Sequence, residues 1–132
     1  MMVSIPLKIG MSIMKYVDKG WGYEVWIANK SEYCGKLLFF EKGKKCSWHY
    51  HKLKDETFYL QSGKMVLLYS DKDWVTKDNF EKHADRTLLT PGMSFHIPTG
   101  RKHQMIALED SELFEFSTEH FDEDSHRIVK GD

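Results

Sequence analysis

Turn-forming residues break this chain into runs too short for helices and well suited to strands. Breaks fall at Lys42–Gly43, Ser62–Gly63, Asp71–Asp73, Pro91–Gly92, Thr99–Gly100 and Glu109–Ser111. Between them lie apolar and β-branched stretches at 23–28, 33–42, 46–51, 56–61, 64–70, 86–89, 93–98, 103–107 and 112–118. Short strands punctuated this regularly specify an all-β sandwich or barrel, because each strand buries one face and needs a second sheet to cover it. The best helical segment, 77–83, sits in a polar insert and has Phe80 as its one apolar anchor.

The 132 residues suit a single domain with a substantial core. An apolar fraction of 41% argues against disorder. A net charge of -1, with both signs interspersed, offers no electrostatic case for nucleic acid or an anionic membrane. No apolar run approaches the ~20 residues of a membrane span. The first fourteen residues are broken by Pro6, Lys8 and Gly10 and lack a basic start and a cleavage site. They are expected to form a peripheral leader, with residues 15–132 as one barrel domain in a cytoplasmic protein. Cys34 and Cys46 are the only cysteines and are expected to be free thiols. Counting register from His49 turns Cys46 away from the histidine face, to pack as a small apolar residue.

Chemistry concentrates in HYHKLKDETFYLQSG, residues 49–63. Residues i and i+2 of a strand share a face, so His49 and His51 can converge on one ion. Glu56 follows at the start of the next run and adds a carboxylate. A fourth donor, His103, closes the segment PGMSFHIPTGRKH. Imidazole and carboxylate together suit one divalent ion, whether Zn, Fe, Mn or Ni. The other histidines, His83, His96, His120 and His126, lack such partners and are expected to be structural or solvent-facing, with His96 the one that lies nearest a pocket strand.

The glycines extend these ligands into two blocks. The first runs Gly43, five residues, His49, one, His51, four, Glu56, six, Gly63. The second runs Gly92, five residues, Pro98, one, Gly100, two, His103. This resembles the cupin superfamily, whose motifs are G-x5-H-x-H-x3–4-E-x6-G and G-x5-P-x-G-x2-H-x3-N. The first block matches throughout, and the second departs only at its end, where Ala107 stands for Asn. The resemblance spans roughly residues 20–120. It implies a double-stranded β-helix, or jelly-roll barrel, with little helix and with His49, His51, Glu56 and His103 as metal ligands. A narrower similarity is to the cupin domains of mannose-6-phosphate isomerases and mannose-1-phosphate guanylyltransferases. It rests on Trp21–Gly22, KGKKCSWHYH, HIPTGRKHQM and the closing LFEFSTEHFDEDSHRIVKGD, with His49 where those proteins often carry Gln.

That similarity implies a sugar or sugar phosphate as ligand and aldose–ketose isomerisation as the reaction. Two other functions remain open: a mononuclear non-haem Fe(II) dioxygenase and a non-catalytic carbohydrate-binding cupin. Glu115 alternates with Phe114 and Phe116 and is a candidate inward proton shuttle. Phe58 shares a face with Glu56 and is a candidate pocket wall. Arg101 and Lys36 are candidate phosphate contacts, Arg101 because it lies in the loop that carries His103. A homodimer is expected from the resemblance, with Trp26, Phe39 and Phe40 as permissive edge aromatics. The acidic stretch 119–124 is expected to wrap the domain or stay solvated.

Overall fold

The structure is a computed structural model that describes residues 14–132. The expected leader lies outside the described residues except for Met14, which is exposed. Among the described residues eleven strands form two antiparallel sheets. The six-stranded sheet runs β1 (Lys15–Lys19), β2 (Gly22–Asn29), β3 (Cys34–Phe40), β10 (Ser111–Ser117), β5 (Glu56–Ser62) and β8 (Ser94–Ile97). The five-stranded sheet runs β11 (His126–Val129), β4 (Trp48–Tyr50), β9 (Lys102–Ala107), β6 (Met65–Ser70) and β7 (Asp85–Leu89). Among the described residues no helix is long and apolar enough to cross a membrane.

The inward faces follow the two-residue period of the sequence. Strand β3 alternates buried and half-buried residues throughout, turning Cys34, Lys36, Leu38 and Phe40 inward. Cross-strand register then builds rows of contrasting character. Leu38 pairs with Leu113, and Leu113 with Leu60, giving an apolar row. One step along, Lys36 pairs with Glu115 and Glu115 with Phe58. A further step brings Ser117 opposite both Cys34 and Glu56. One end of the barrel is therefore filled with hydrocarbon, including Phe40, Leu60, Met65, Leu67, Leu89 and Ala107. The other end is lined with polar side chains. Trp21 joins this core by stacking on Phe40, with ring centroids 3.9 Å apart.

A second cluster covers the outer face of the five-stranded sheet. Helix α1 spans only Phe80–His83, shorter than the segment 77–83 read from the sequence. Its anchor is the expected one: Phe80 is buried and stacks on Trp48 at 4.7 Å, beside Leu68 and Val75.

Two sequence expectations need correction. Cys46 does not face away from the histidines. Regular strand begins only at Trp48, so parity counted back from His49 fails, and Cys46 packs into the interior core, where its sulfur accepts the Met105 N–H at 3.2 Å. It remains a free, buried thiol, as does Cys34. Of the three proposed edge aromatics, Phe40 is buried in the core and Trp26 lines the internal cavity, which leaves Phe39. The acidic stretch does wrap the domain: it forms a short 3-10 turn at Asp122–Asp124, and Asp124 is buried.

Candidate metal centre and its cavity

Two strands deliver the histidines to one place. His49 lies on β4 directly opposite His103 on β9, and His51 follows one residue beyond β4. One nitrogen from each of the three rings lies within 4.8 Å of the others. Each ring uses its other nitrogen in the same way. Nδ1–H of His49 donates to the Ser47 carbonyl at 2.8 Å, that of His51 to the Asp124 carbonyl at 3.1 Å, and that of His103 to the Arg101 carbonyl at 3.0 Å. The carbonyl partners fix the tautomer, since a carbonyl can only accept. Every Nε2 is then left with its lone pair free, the arrangement that orients histidines as ligands.

Glu56 completes the group. Its Oε2 is 3.3 Å from Nε2 of His51 and 3.5 Å from Nε2 of His103. Both Oε2 of Glu56 and Nε2 of His103 are buried and have no hydrogen-bond partner among the described residues. Buried polar atoms left unpaired cost roughly 1–3 kcal/mol each, so two side by side mark a place built for something else. Burial, followed by the neighbouring imidazoles, holds His49 well below the usual histidine range. Burial also brings His103 down to about 3. Neutral imidazoles at His49 and His103 are the form in which histidine ligates a divalent ion. The three imidazoles and the Glu56 carboxyl group therefore fit such an ion in donor chemistry.

Above this cluster opens a cavity of about 970 Å³, lined by His49, His51, Glu56, Phe58, Lys36 and Glu115 among others. Lys54 stands in it, 3% exposed. Its ammonium donates to Oε2 of Glu115 and to Nδ1 of His120, both at 3.0 Å. His120 is oriented by its own Nε2–H, which donates to Asp122 at 3.0 Å. Burial would raise the pKa of Glu115, but the ammonium groups of Lys54 and Lys36 outweigh it and bring the carboxyl down to about 2. Lys54 is correspondingly raised: burial opposes its charge, and Glu115 and Glu56 more than restore it.

The family model described as Cupin domain matches residues 36–116, more than half of the chain. The chain belongs to the cupin family. No curated protein matches it in sequence. Among solved structures, KdgF from Halomonas sp. is similar at a TM-score of 0.67 and 19% identity, covering 83% of this chain and 91% of KdgF. The capsular polysaccharide assembling protein CapF from Staphylococcus aureus is similar at a TM-score of 0.71 and 16% identity, over 90% of this cupin and 35% of CapF. Oxalate decarboxylase from Bacillus subtilis gives 0.73 and 14%, over 87% and 30%. This cupin thus spans about a third of the latter two chains. At these identities the likeness is one of fold.

Within this cupin the expected substrate contacts separate. Phe58 and Lys36 line the cavity, and both are 1% exposed. Arg101 is not brought into it. Its guanidinium forms a two-pronged pair with Asp71 at 3.1 and 2.9 Å, donates to the His96 carbonyl and lies over Tyr69. Sharing a loop with His103 does not mean sharing a direction. His96 also points away, paired with Asp55 at 2.9 Å in an exposed position. Lys54 and His120 were not singled out from the sequence. Lys54 precedes Glu56 by two and Phe58 by four, so the same parity that placed those two inside places Lys54 with them. His120 gave no comparable signal, because it follows the last strand of its sheet.

Proposed function

We propose that this cupin is a metal-dependent enzyme of small carbohydrates, an aldose–ketose isomerase of a sugar phosphate. The observation that carries the proposal is the pair of buried, unpartnered donors, Glu56 Oε2 and His103 Nε2, facing His49 and His51 at the edge of a large polar cavity. His49, His51, His103 and Glu56 would hold the ion. When bound, a divalent ion supplies a Lewis acid that polarises a carbonyl and its neighbouring hydroxyl.

The remaining steps fall to the chain's own side chains. Glu115 is ionised and inside the cavity, so it can take a proton from the carbon beside a carbonyl and return it to the adjacent carbon. Lys54, bonded to it, can donate to the substrate oxygen that gains negative charge during the transfer. Moving that bond from Glu115 to the substrate also frees the carboxylate and strengthens it as a base. Phe58 walls the cavity and limits water around the charged pair. The carbohydrate setting is also that of CapF, described as assembling capsular polysaccharide. The same reading includes a homodimer through the outer face of the six-stranded sheet, where Tyr16, Tyr23 and Phe39 stack in sequence at 5.1 Å spacings.

The test is interconversion of mannose 6-phosphate and fructose 6-phosphate by protein loaded separately with Zn, Mn, Fe(II) and Ni. Turnover should depend on metal and fall at least ~100-fold in Glu115→Gln. Metal-loaded protein that turns over no sugar phosphate, or that consumes O₂ with Fe(II) instead, would overturn the isomerase assignment.

A further inference from the structure

The cavity holds a second buried cation, and its surroundings differ from those of Lys54. Lys36 is 1% exposed, on β3, with its side chain in the cavity. An ammonium has three N–H donors. Two of those of Lys54 are engaged, by Glu115 and His120. Among the described residues, the Lys36 ammonium makes no hydrogen bond. The nearest carboxylate oxygen, Oε1 of Glu24, is 3.6 Å away and already accepts the indole N–H of Trp26 at 2.8 Å.

What fixes Lys36 is packing. Its ammonium sits 4.2 Å over the Trp26 ring. That ring is itself held by Glu24, by the Lys15 ammonium at 4.3 Å and by the edge of His120 at 4.9 Å. Trp26 therefore serves as a platform for two cations, and neither ammonium leaves its ring free for a sugar to stack on. A positioned, desolvated ammonium with free donors is the arrangement that takes oxygens from a ligand. Register gives the scale. Lys36 on β3 is separated from β5, which carries Glu56, by β10 alone, so the two strands lie about 10 Å apart. An inorganic anion can fill one end of that span, whereas a sugar acid or sugar phosphate can reach both.

We propose that Lys36 is the anion anchor of this cavity, holding the carboxylate or phosphate of a small polyhydroxylated acid whose other end reaches the His49–His51–His103–Glu56 cluster. The far end of the ligand rests on the metal-centred function proposed above; the anchor does not. Arg101, tied to Asp71 outside the cavity, takes no part.

The experiment measures binding of mannose 6-phosphate, gluconate and mannose to the metal-loaded wild type, Lys36→Met and Lys36→Arg, by calorimetry and by tryptophan emission. The wild type should bind one of the two acids at least tenfold tighter than mannose, with a change in emission from Trp26. Which acid it prefers distinguishes phosphate from carboxylate. Lys36→Met should lose that preference at unchanged metal content, and Lys36→Arg should keep part of it. Equal binding of acids and mannose by the wild type, or an undiminished preference in Lys36→Met, would overturn the anchor. The metal assignment fails separately, through full metal content in His51→Ala, and such a result leaves the acid preference of the wild type intact.

Discussion

Asp124 connects the end of the chain to the metal cluster. Its carboxylate accepts the backbone N–H groups of Lys52, Leu53 and Lys54 at 2.8, 3.1 and 3.0 Å, and its carbonyl accepts Nδ1–H of His51. The loop that carries His51 and Lys54 towards Glu56 is thus pinned by one side chain. Asp124→Ala leaves three amides unpaired and should cost about 3 kcal/mol in urea unfolding, with weaker metal retention alongside. A second residue-scale consequence concerns pH. The folded pKa of Glu115, about 2, lies below its ordinary 4.5, so folding favours the ionised form. Its contribution to stability is complete above about pH 4.5 and is lost as pH falls through about 2. The melting temperature of Glu115→Gln should therefore lie below wild type at pH 7, and the gap should close on acidification; a gap that stays constant would contradict the ion pair with Lys54. At this scale strand parity placed His49, His51, Glu56, Glu115 and Phe58 on inward faces, motif spacing found His103, and Lys36, expected as a cation at the rim, is buried in the cavity. The sequence misplaced Arg101, whose direction is set by Asp71, a partner thirty positions away. It also could not reveal Asp124, whose partners lie seventy or more positions back.

The elements divide the barrel into a dry end and a reactive end. β3, β5 and β10 each carry leucine or phenylalanine towards one end and Lys36, Glu56 or Glu115 towards the other. The turns hold these strands in register. Gly63 takes a φ of 90°, and a Cβ there would overlap the Asp110 carbonyl and the Ser111 hydroxyl. Gly63→Ala should therefore destabilise the fold by more than the strain of a left-handed residue alone, roughly 2 kcal/mol or above by thermal or urea unfolding. Phe80→Ala tests the opposite side. Its cavity beside Trp48 should cost about 3 kcal/mol, yet metal content should be unchanged, since this cluster lies on the outer face of the sheet that carries His49 and His103. The turn-bounded strands were legible because their alternation is strong. β1 and β11 were missed for a shared reason: both run along sheet edges with mostly exposed or half-buried residues, so neither shows a clear apolar face.

For the whole molecule, two facing sheets and one polar cavity follow from a sequence whose turn glycines and ligand spacings agree. Membership of the cupin family was legible for that reason, whereas the cavity's contents depend on side-chain partners that no spacing encodes. An ion held by groups from both sheets should stabilise the fold as a whole. Chelation should lower the melting temperature, on the order of 10 °C for a site well above saturation, and resupply of metal should restore it. The most direct test is X-ray absorption at the metal edge of purified protein, with metal content measured on the same sample. One ion per chain with three imidazole scatterers and one further oxygen is the expected result, falling in His51→Ala to two imidazoles at reduced metal content or to no metal. Metal-free protein that fails to take up any divalent ion, or a bound ion with no imidazole in its shell, would contradict the site.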